Sequence, residues 1–212
     1  NVAKRGGEYI PGQLEVAVDK DWVTKSAAKE IVELGANRKS WLAFCSGVEH
    51  AKHMRDAIKA LNISCETVTG ETPKAERDSF IRQFSQGLIR CLTSVGVLGT
   101  GFNVPQVDLI ALLRPTQSAG LFVQQVGRGL RKAPAKTDAL ILDFARNTER
   151  HGPIDTITAH SASLQKDKEE REPLSKTCPV CQTILALAAT QCSVCGHLFP
   201  RDLMPKHEAT AD

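Results

Sequence analysis

The sequence predicts an α/β fold, a parallel sheet with helices on both faces, followed by a small separate module built around cysteines. Three observations carry this. Short apolar runs of strand length alternate with amphipathic stretches of helix length from about residue 22 to residue 147. The chain has 212 residues, enough for one such domain and an appendage. Four of its seven cysteines crowd into two C-x-x-C pairs near the end.

Residues 1–21 carry Gly6, Gly7, Pro11 and Gly12 and read as a connecting segment. The domain proper spans 22–147. Its first helix is expected to take Thr24 or Ser26 as cap, to place Ala28, Ile31, Val32 and Leu34 at helical spacing, and to stop at Gly35. Trp41 to Cys45 is a continuous apolar run, as a buried parallel strand requires. A helix follows over 48–60, with Val48, Ala51, Met54, Ala57, Ile58 and Leu61 on one face. Ser64 to Val68 is a second strand. Thr72-Pro73 opens a helix reaching Phe84, with Thr as cap and Pro at the first helical position. Strands over 89–95, 108–113 and 139–144, and a helix over 118–127, complete the alternation. Ligands are expected at the carboxyl ends of such strands. Residues 148–175 form a charged linker; Gln165 to Glu172 is charged in seven of eight positions. The four-cysteine module occupies 176–200 and a flexible tail 201–212.

Composition narrows the function classes. The chain is 42% hydrophobic and 24% charged, as soluble globular domains are, and its net charge of +3 permits a nucleic-acid partner without demanding one. No apolar run of membrane-spanning length occurs, so no membrane partner is expected. The start at Asn1, without Met or an apolar signal region, reads as that of an excised domain in a cytoplasmic setting. Cys45, Cys65 and Cys91 sit singly in apolar runs and read as core residues.

Three segments carry chemistry. Gln124-Gln125-Val126-Gly127-Arg128-Gly129-Leu130-Arg131 places two arginines three apart, so that both guanidinium groups leave one side of a helical turn as a fork suited to phosphate oxygens. Two surface arginines at a helix end would read the same way. Thr93 to Pro105 leaves an apolar strand for a loop rich in glycine and hydroxyls, where backbone N–H groups can approach an anion. Phe44-Cys45-Ser46-Gly47 leads from a strand into a helix start, which can hold a phosphate or simply be a cap.

In order and spacing these segments resemble motifs VI, V and IV of superfamily 2 helicases. Thr69-Gly70 with Arg77 and Phe80 resembles the family's intermediate segment, and Arg114-Pro115-Thr116-Gln117-Ser118 matches the R-P-T-x-S of a subset. The resemblance covers residues 38–146. With the trailing cysteines the chain looks most like the RadD group of bacterial DNA repair helicases or a phage relative. The resemblance implies a RecA-like second lobe. In it Arg128 and Arg131 would be arginine fingers for ATP, with Gln124 at the same interface and Gly101 and Asn103 at the nucleotide edge. The family commonly has Asp at position 103. Ser46, Gly47, Thr69, Gly70, Thr93 and Ser94 would line a nucleic-acid track, for DNA rather than RNA. No G-x-x-x-x-G-K-[ST] and no D-E-x-[HD] occurs. ATP and magnesium would therefore be shared with an N-terminal RecA-like lobe, and this chain alone is expected to be inactive. A repair or single-strand-binding protein is a further expected partner.

Cys178, Cys181, Cys192 and Cys195 form two C-x-x-C turns ten residues apart. Four thiolates so arranged suit a structural zinc in a compact pair of knuckles, with disulfide, redox or iron use as the alternatives, Gly196 suited to the tight turn and His197 a bystander. The apolar stretch Thr183 to Ala189 favours packing or protein contact. Two other functions stay open: a non-catalytic nucleic-acid adaptor, and a translocase subunit of a restriction-type system.

Overall fold

The computed structural model describes residues 2–5, 8–96, 102–157 and 175–199. They fall into two compact units, 1–147 and 148–212. The first contains, in order, β1 (Lys4–Arg5), β2 (Glu8–Tyr9), α1 (Pro11–Val18), α2 (Asp21–Leu34), β3 (Trp41–Phe44), α3 (Val48–Lys59), β4 (Cys65–Val68), α4 (Lys74–Ser85), β5 (Cys91–Ser94), β6 (Leu109–Leu112), α5 (Ala119–Gly129) and β7 (Leu140–Asp143). Strands β3 to β7 form one parallel sheet in the order β4-β5-β3-β6-β7. Because all five run the same way, the segments after β4, β5, β3 and β6 leave one edge. The connection from β3 runs toward β4, whereas that from β6 runs toward β7, so the chain direction switches between the neighbours β3 and β6. A ligand crevice is expected there.

Both faces of the sheet are covered, which is why its strands read as unbroken apolar runs. Trp41, Ala43, Cys45, Cys91, Leu109 and Ala111 pack with Ala28 and Ile31 of α2 and with Ala51, Met54 and Ile58 of α3. Ile110 points to the other face by the alternation of the strand, and α5 lies there. A Cβ on Gly129 would come within 2.8 Å of Ile110 Cγ1, so the helix approaches the strand at a distance only glycine allows. Cys45, Cys65 and Cys91 are all core residues, and burial pushes the Cys45 thiol far up from its ordinary range.

Three local expectations are corrected. Helix α2 begins at Asp21, and neither Thr24 nor Ser26 caps it; Thr24 lies inside the helix, buried, its hydroxyl donating to Asp19 Oδ1 at 3.3 Å. Helix α4 begins at Lys74 with Pro73 as its cap residue and no side-chain cap. The Thr72 hydroxyl turns back to accept from the Thr69 backbone N–H at 2.9 Å, so it tightens the preceding loop instead. Residues 1–21 are more than a connection: they hold the β1–β2 hairpin and α1, with Leu14 only 2% exposed.

The second unit contains α6 from Thr148 onward (the helix spans Asn147–His151), a single 3-10 turn (Ile154–Thr156), and the antiparallel pair β8 (Ser175–Thr177) and β9 (Ile184–Ala186). Its small core is Cys178, Leu185 and Cys192. The charged run 165–172 and the tail 201–212 lie outside the described residues. Among the described residues no helix is long and apolar enough to cross a membrane.

Candidate nucleotide interface and metal centre

Helix α5 starts at Ser118, whose hydroxyl accepts from the Leu121 N–H at 3.1 Å. It carries Arg128 in its last turn, and Arg131 follows just beyond. The two arginines do converge. Arg128 Nη1 donates to the carbonyl of Phe102 at 2.8 Å. Arg131 Nη1 donates to the same carbonyl at 3.2 Å and to Asn103 Oδ1 at 2.7 Å. Phe102 is buried and stacks obliquely on Phe84 with ring centroids 6.1 Å apart, so the shared acceptor is anchored in the core. Arg128 is 7% exposed, and burial followed by repulsion from Arg131 holds its pKa below the usual arginine value. Asn103 is exposed. An amide oxygen meets Arg131 here where a carboxylate would make an ion pair, so the second arginine is held by weaker, neutral acceptors.

An open cleft lies at the carboxyl ends of β3, β5 and β6, lined by Phe44, Ser94, Arg114, Gln124, Gln125 and Arg128 among others. It sits at the switch of chain direction. Ser94 Oγ, Gln125 Oε1 and Arg114 Nε have no hydrogen-bond partner among the described residues. Gln124, exposed on α5, lines the same cleft. Gly101 lies outside the described residues.

The residues expected to touch nucleic acid gather along the carboxyl edge but differ in availability. Thr93 is fully buried; its hydroxyl donates to the Ala51 carbonyl at 3.0 Å and lies 2.8 Å from Thr67 Oγ1, so it is spent inside the fold. Ser46 is buried and its Oγ lies 2.7 Å from Nδ1 of His50. The Ser46 N–H also points to that nitrogen at 3.3 Å, which makes Nδ1 the acceptor and the ring neutral. Burial depresses the His50 pKa accordingly, against the opposing charges of Asp19 and Glu15. Thr69 is buried and accepts from the Glu71 N–H at 3.2 Å, while Gly70 is exposed.

Residues not singled out in the sequence complete the edge. Glu15 of α1 accepts from the His50 N–H at 3.0 Å, and a Cβ on Gly47 would fall 2.1 Å from its carboxyl carbon. A carboxylate thus fills the start of α3, where a negative charge is favoured. Glu8 does the same for α5: its Oε1 accepts from Thr116 Oγ1 at 2.6 Å, Gln117 N at 2.8 Å and Ser118 N at 2.7 Å. Asn147, fully buried, accepts from the Thr116 N–H at 2.9 Å and donates to the Arg114 carbonyl at 3.0 Å. Two acids in a glycine-rich stretch give no local sign of such contacts, because their partners lie far along the chain.

In the second unit the four sulfurs of Cys178, Cys181, Cys192 and Cys195 lie within 4.8 Å of one another. The pairs Cys178–Cys195 and Cys181–Cys192 are 3.5 and 3.6 Å apart. Tetrahedral zinc at ordinary Zn–S length needs sulfurs about 3.8 Å apart, so the donor set fits. The two turns are built alike. Gln182 N–H donates to Cys178 O and Gly196 N–H to Cys192 O, both at 2.9 Å. Gln182 and Gly196 take the same left-handed conformation, φ 59° and 74°. Sequence points to the glycine but not to its glutamine counterpart. Hydrogen bonds from the Thr183 hydroxyl and backbone pull the Cys181 thiol down to about 6. His197 is not among the clustered groups; its ring meets Phe199 edge-on at 5.1 Å.

The helicase conserved C-terminal domain family matches residues 24–133, and a family described as uncharacterised protein family UPF0547 matches residues 176–200. The chain is 30% identical over 208 residues to a 51.5 kDa protein of Lactococcus phage (isolate 7-9), covering 96% of this chain and 45% of that protein. It is 38% identical over 119 residues to a Schizosaccharomyces pombe protein described as a mitochondrial ATP-dependent helicase, irc3, covering 56% of this chain and 20% of that one. The chain thus spans less than half the length of either relative. Among solved structures it is similar to a fragment described as the HsdR subunit of a type I restriction enzyme from Vibrio vulnificus YJ016, with TM-score 0.52, 26% identity and coverage of 62% of this chain and 30% of that one. It shares the fold of T4 UvsW at TM-score 0.50 and 24% identity, over 65% of this chain and 28% of that one. Motif order, parallel sheet and matched residues agree: the chain belongs to the helicase conserved C-terminal domain family, as the C-terminal lobe of a superfamily 2 helicase with a four-cysteine cluster behind it.

Proposed function

We propose that this lobe serves an ATP-dependent DNA helicase or translocase of the RadD kind, acting in DNA repair or recombination. The observation that carries the reading is the convergence of Arg128 and Arg131 on Phe102 and Asn103 beside the switch-point cleft. Two guanidinium groups fixed in one place suit the charge that redistributes as a γ-phosphoryl group detaches. ATP and magnesium are held by an N-terminal RecA-like lobe that supplies the phosphate cradle, and Gln124, Gly101 and Asn103 complete the joint. The strand runs over the carboxyl edge, where Gly70 offers backbone, Ser46, Gly47, Thr69 and Ser94 frame it, and Thr93 supports it from within. Phosphate contacts of this sort give salt-dependent affinity with little sequence preference. Zinc on Cys178, Cys181, Cys192 and Cys195 holds the small module together, and a repair or single-strand-binding protein is a partner for it.

The test is turnover in a protein that joins this lobe to its nucleotide-binding lobe. Arg128→Ala or Arg131→Ala lowers DNA-stimulated ATP hydrolysis by on the order of a thousandfold while the fold and DNA binding persist. Near-normal turnover in both variants defeats the reading and favours a non-catalytic adaptor. A restriction-type translocase subunit is the second reading, favoured by the 26% identity to the HsdR fragment. Translocation strictly dependent on a methylation-sensitive recognition subunit would select it.

A further inference from the structure

Lys136 lies five residues beyond Arg131, in a turn closed by its own N–H donating to the Ala133 carbonyl at 3.2 Å. It is half-buried, and its side chain reaches back under the end of α5. The ammonium group donates to three carbonyls: Gly129, Arg131 at 2.9 Å, and Pro105 at 3.2 Å. An ammonium has three N–H donors, so all three are engaged. Burial lowers its pKa, against a more distant pull from Asp108.

The identity of those carbonyls gives the contact its meaning. Gly129 is the last residue of α5 and Arg131 lies just past its cap Leu130, at the end where backbone carbonyls lack helical partners and the helix dipole is negative. The helix ends at Leu130 in the right-handed region, without the left-handed cap that would otherwise satisfy them. Pro105 follows directly on the Phe102–Val104 stretch whose backbone and side chain receive Arg128 and Arg131. One cation therefore joins the backbone of the segment that carries the arginines to the backbone of the segment that receives them. Gly129 is at the same time fixed against Ile110 of the sheet. Without the ammonium, two carbonyls at a helix end and one in the facing loop would repel across the gap.

We propose that Lys136 is a positioning residue: by clasping the carbonyls of Pro105, Gly129 and Arg131 it sets where the guanidinium groups of Arg128 and Arg131 stand. This rests on the reading of those arginines given above. Lys136 binds the backbone of both segments and acts through it. An error of about an ångström in such groups costs up to a hundredfold in rate.

The test has two arms. In the 212-residue chain, the side-chain Nε–H resonances of Arg128 and Arg131 and the Asn103 side-chain amide are recorded by NMR for wild type, Lys136→Met and Lys136→Arg. Lys136→Met shifts or broadens all three signals, and Lys136→Arg, which keeps a cationic multiple donor, restores them. If Lys136→Met fails to fold, Lys136→Gln, with two donors left, is read in its place and gives intermediate shifts. Unshifted signals in the folded apolar or glutamine variant overturn the inference. In the protein that includes the nucleotide-binding lobe, Lys136→Met lowers kcat by about tenfold or more with KM for ATP little changed, and Lys136→Arg recovers most of it. Full turnover in Lys136→Met alongside a dead Arg128→Ala also overturns it. Turnover that survives Arg128→Ala is a different failure, that of the proposed function, and the resonances in the isolated chain distinguish the two.

Discussion

At the scale of single residues, His50 links burial to pH. Its ring is 2% exposed, accepts from Ser46, and is held neutral because burial depresses its pKa. The unfolded chain takes up the proton near the ordinary histidine value of about 6.5, before the folded chain does. The contribution is therefore complete above that pH and is lost as pH falls through the folded-state value. Urea midpoints measured from pH 7.5 to 5.5 should fall more steeply for wild type than for His50→Asn, whose amide oxygen can replace Nδ1 without titrating. Equal slopes would mean that His50 is not the group responsible. The arginine pair was legible in the sequence because three-residue spacing alone places two side chains together. Their acceptors were legible only in part. Asn103 was singled out, but nothing local says that the Phe102 carbonyl turns toward them. Thr93 shows the opposite case. A hydroxyl in a suggestive motif looks available until the packing of Ala51 and Thr67 against it is seen.

At the scale of elements, every strand and helix of the sheet was readable from its apolar pattern, and so were the starts of α3 and α5, but not the caps of α2 and α4. Thr24 and Thr72 both have cap chemistry, yet α2 and α4 begin elsewhere, because each hydroxyl finds a better acceptor or donor nearby in Asp19 and Thr69. The starts of α3 and α5 receive carboxylates from the N-terminal hairpin and helix, contacts across 35 and about 110 residues that no window of sequence contains. Glu8 should matter most. Its Oε1 takes three hydrogen bonds, one from the fully buried Thr116. Hydrogen bonds to a charged group contribute about 1.5–3 kcal/mol, and leaving donors unpaired in a buried site adds to the loss. Glu8→Ala should therefore lower unfolding free energy by about 2–3 kcal/mol in urea titration. A loss within about 0.5 kcal/mol, the usual surface effect, would show the contact to be incidental.

At the scale of the whole molecule, two units with separate cores should fail separately. The sheet unit keeps its core without metal, whereas among the described residues the cysteine module has Leu185 and a few partly buried neighbours around its sulfurs. Chelation should melt residues 176–199 and leave the sheet unit's thermal transition in place. Four thiols should become reactive while Cys45, Cys65 and Cys91 stay protected in the core. Loss of both units together, or no metal bound at the start, would refute this division. The hairpin and α1 also have a consequence in time. Within this lobe they are synthesised ahead of the sheet, but the partners of Glu8 are made 108 to 110 residues later. The hairpin is thus made early in the lobe and docks late. Until Ser118 is out of the tunnel, the start of α5 does not exist to receive Glu8, which waits unpaired, whereas Glu15 meets the His50 N–H only 35 residues on.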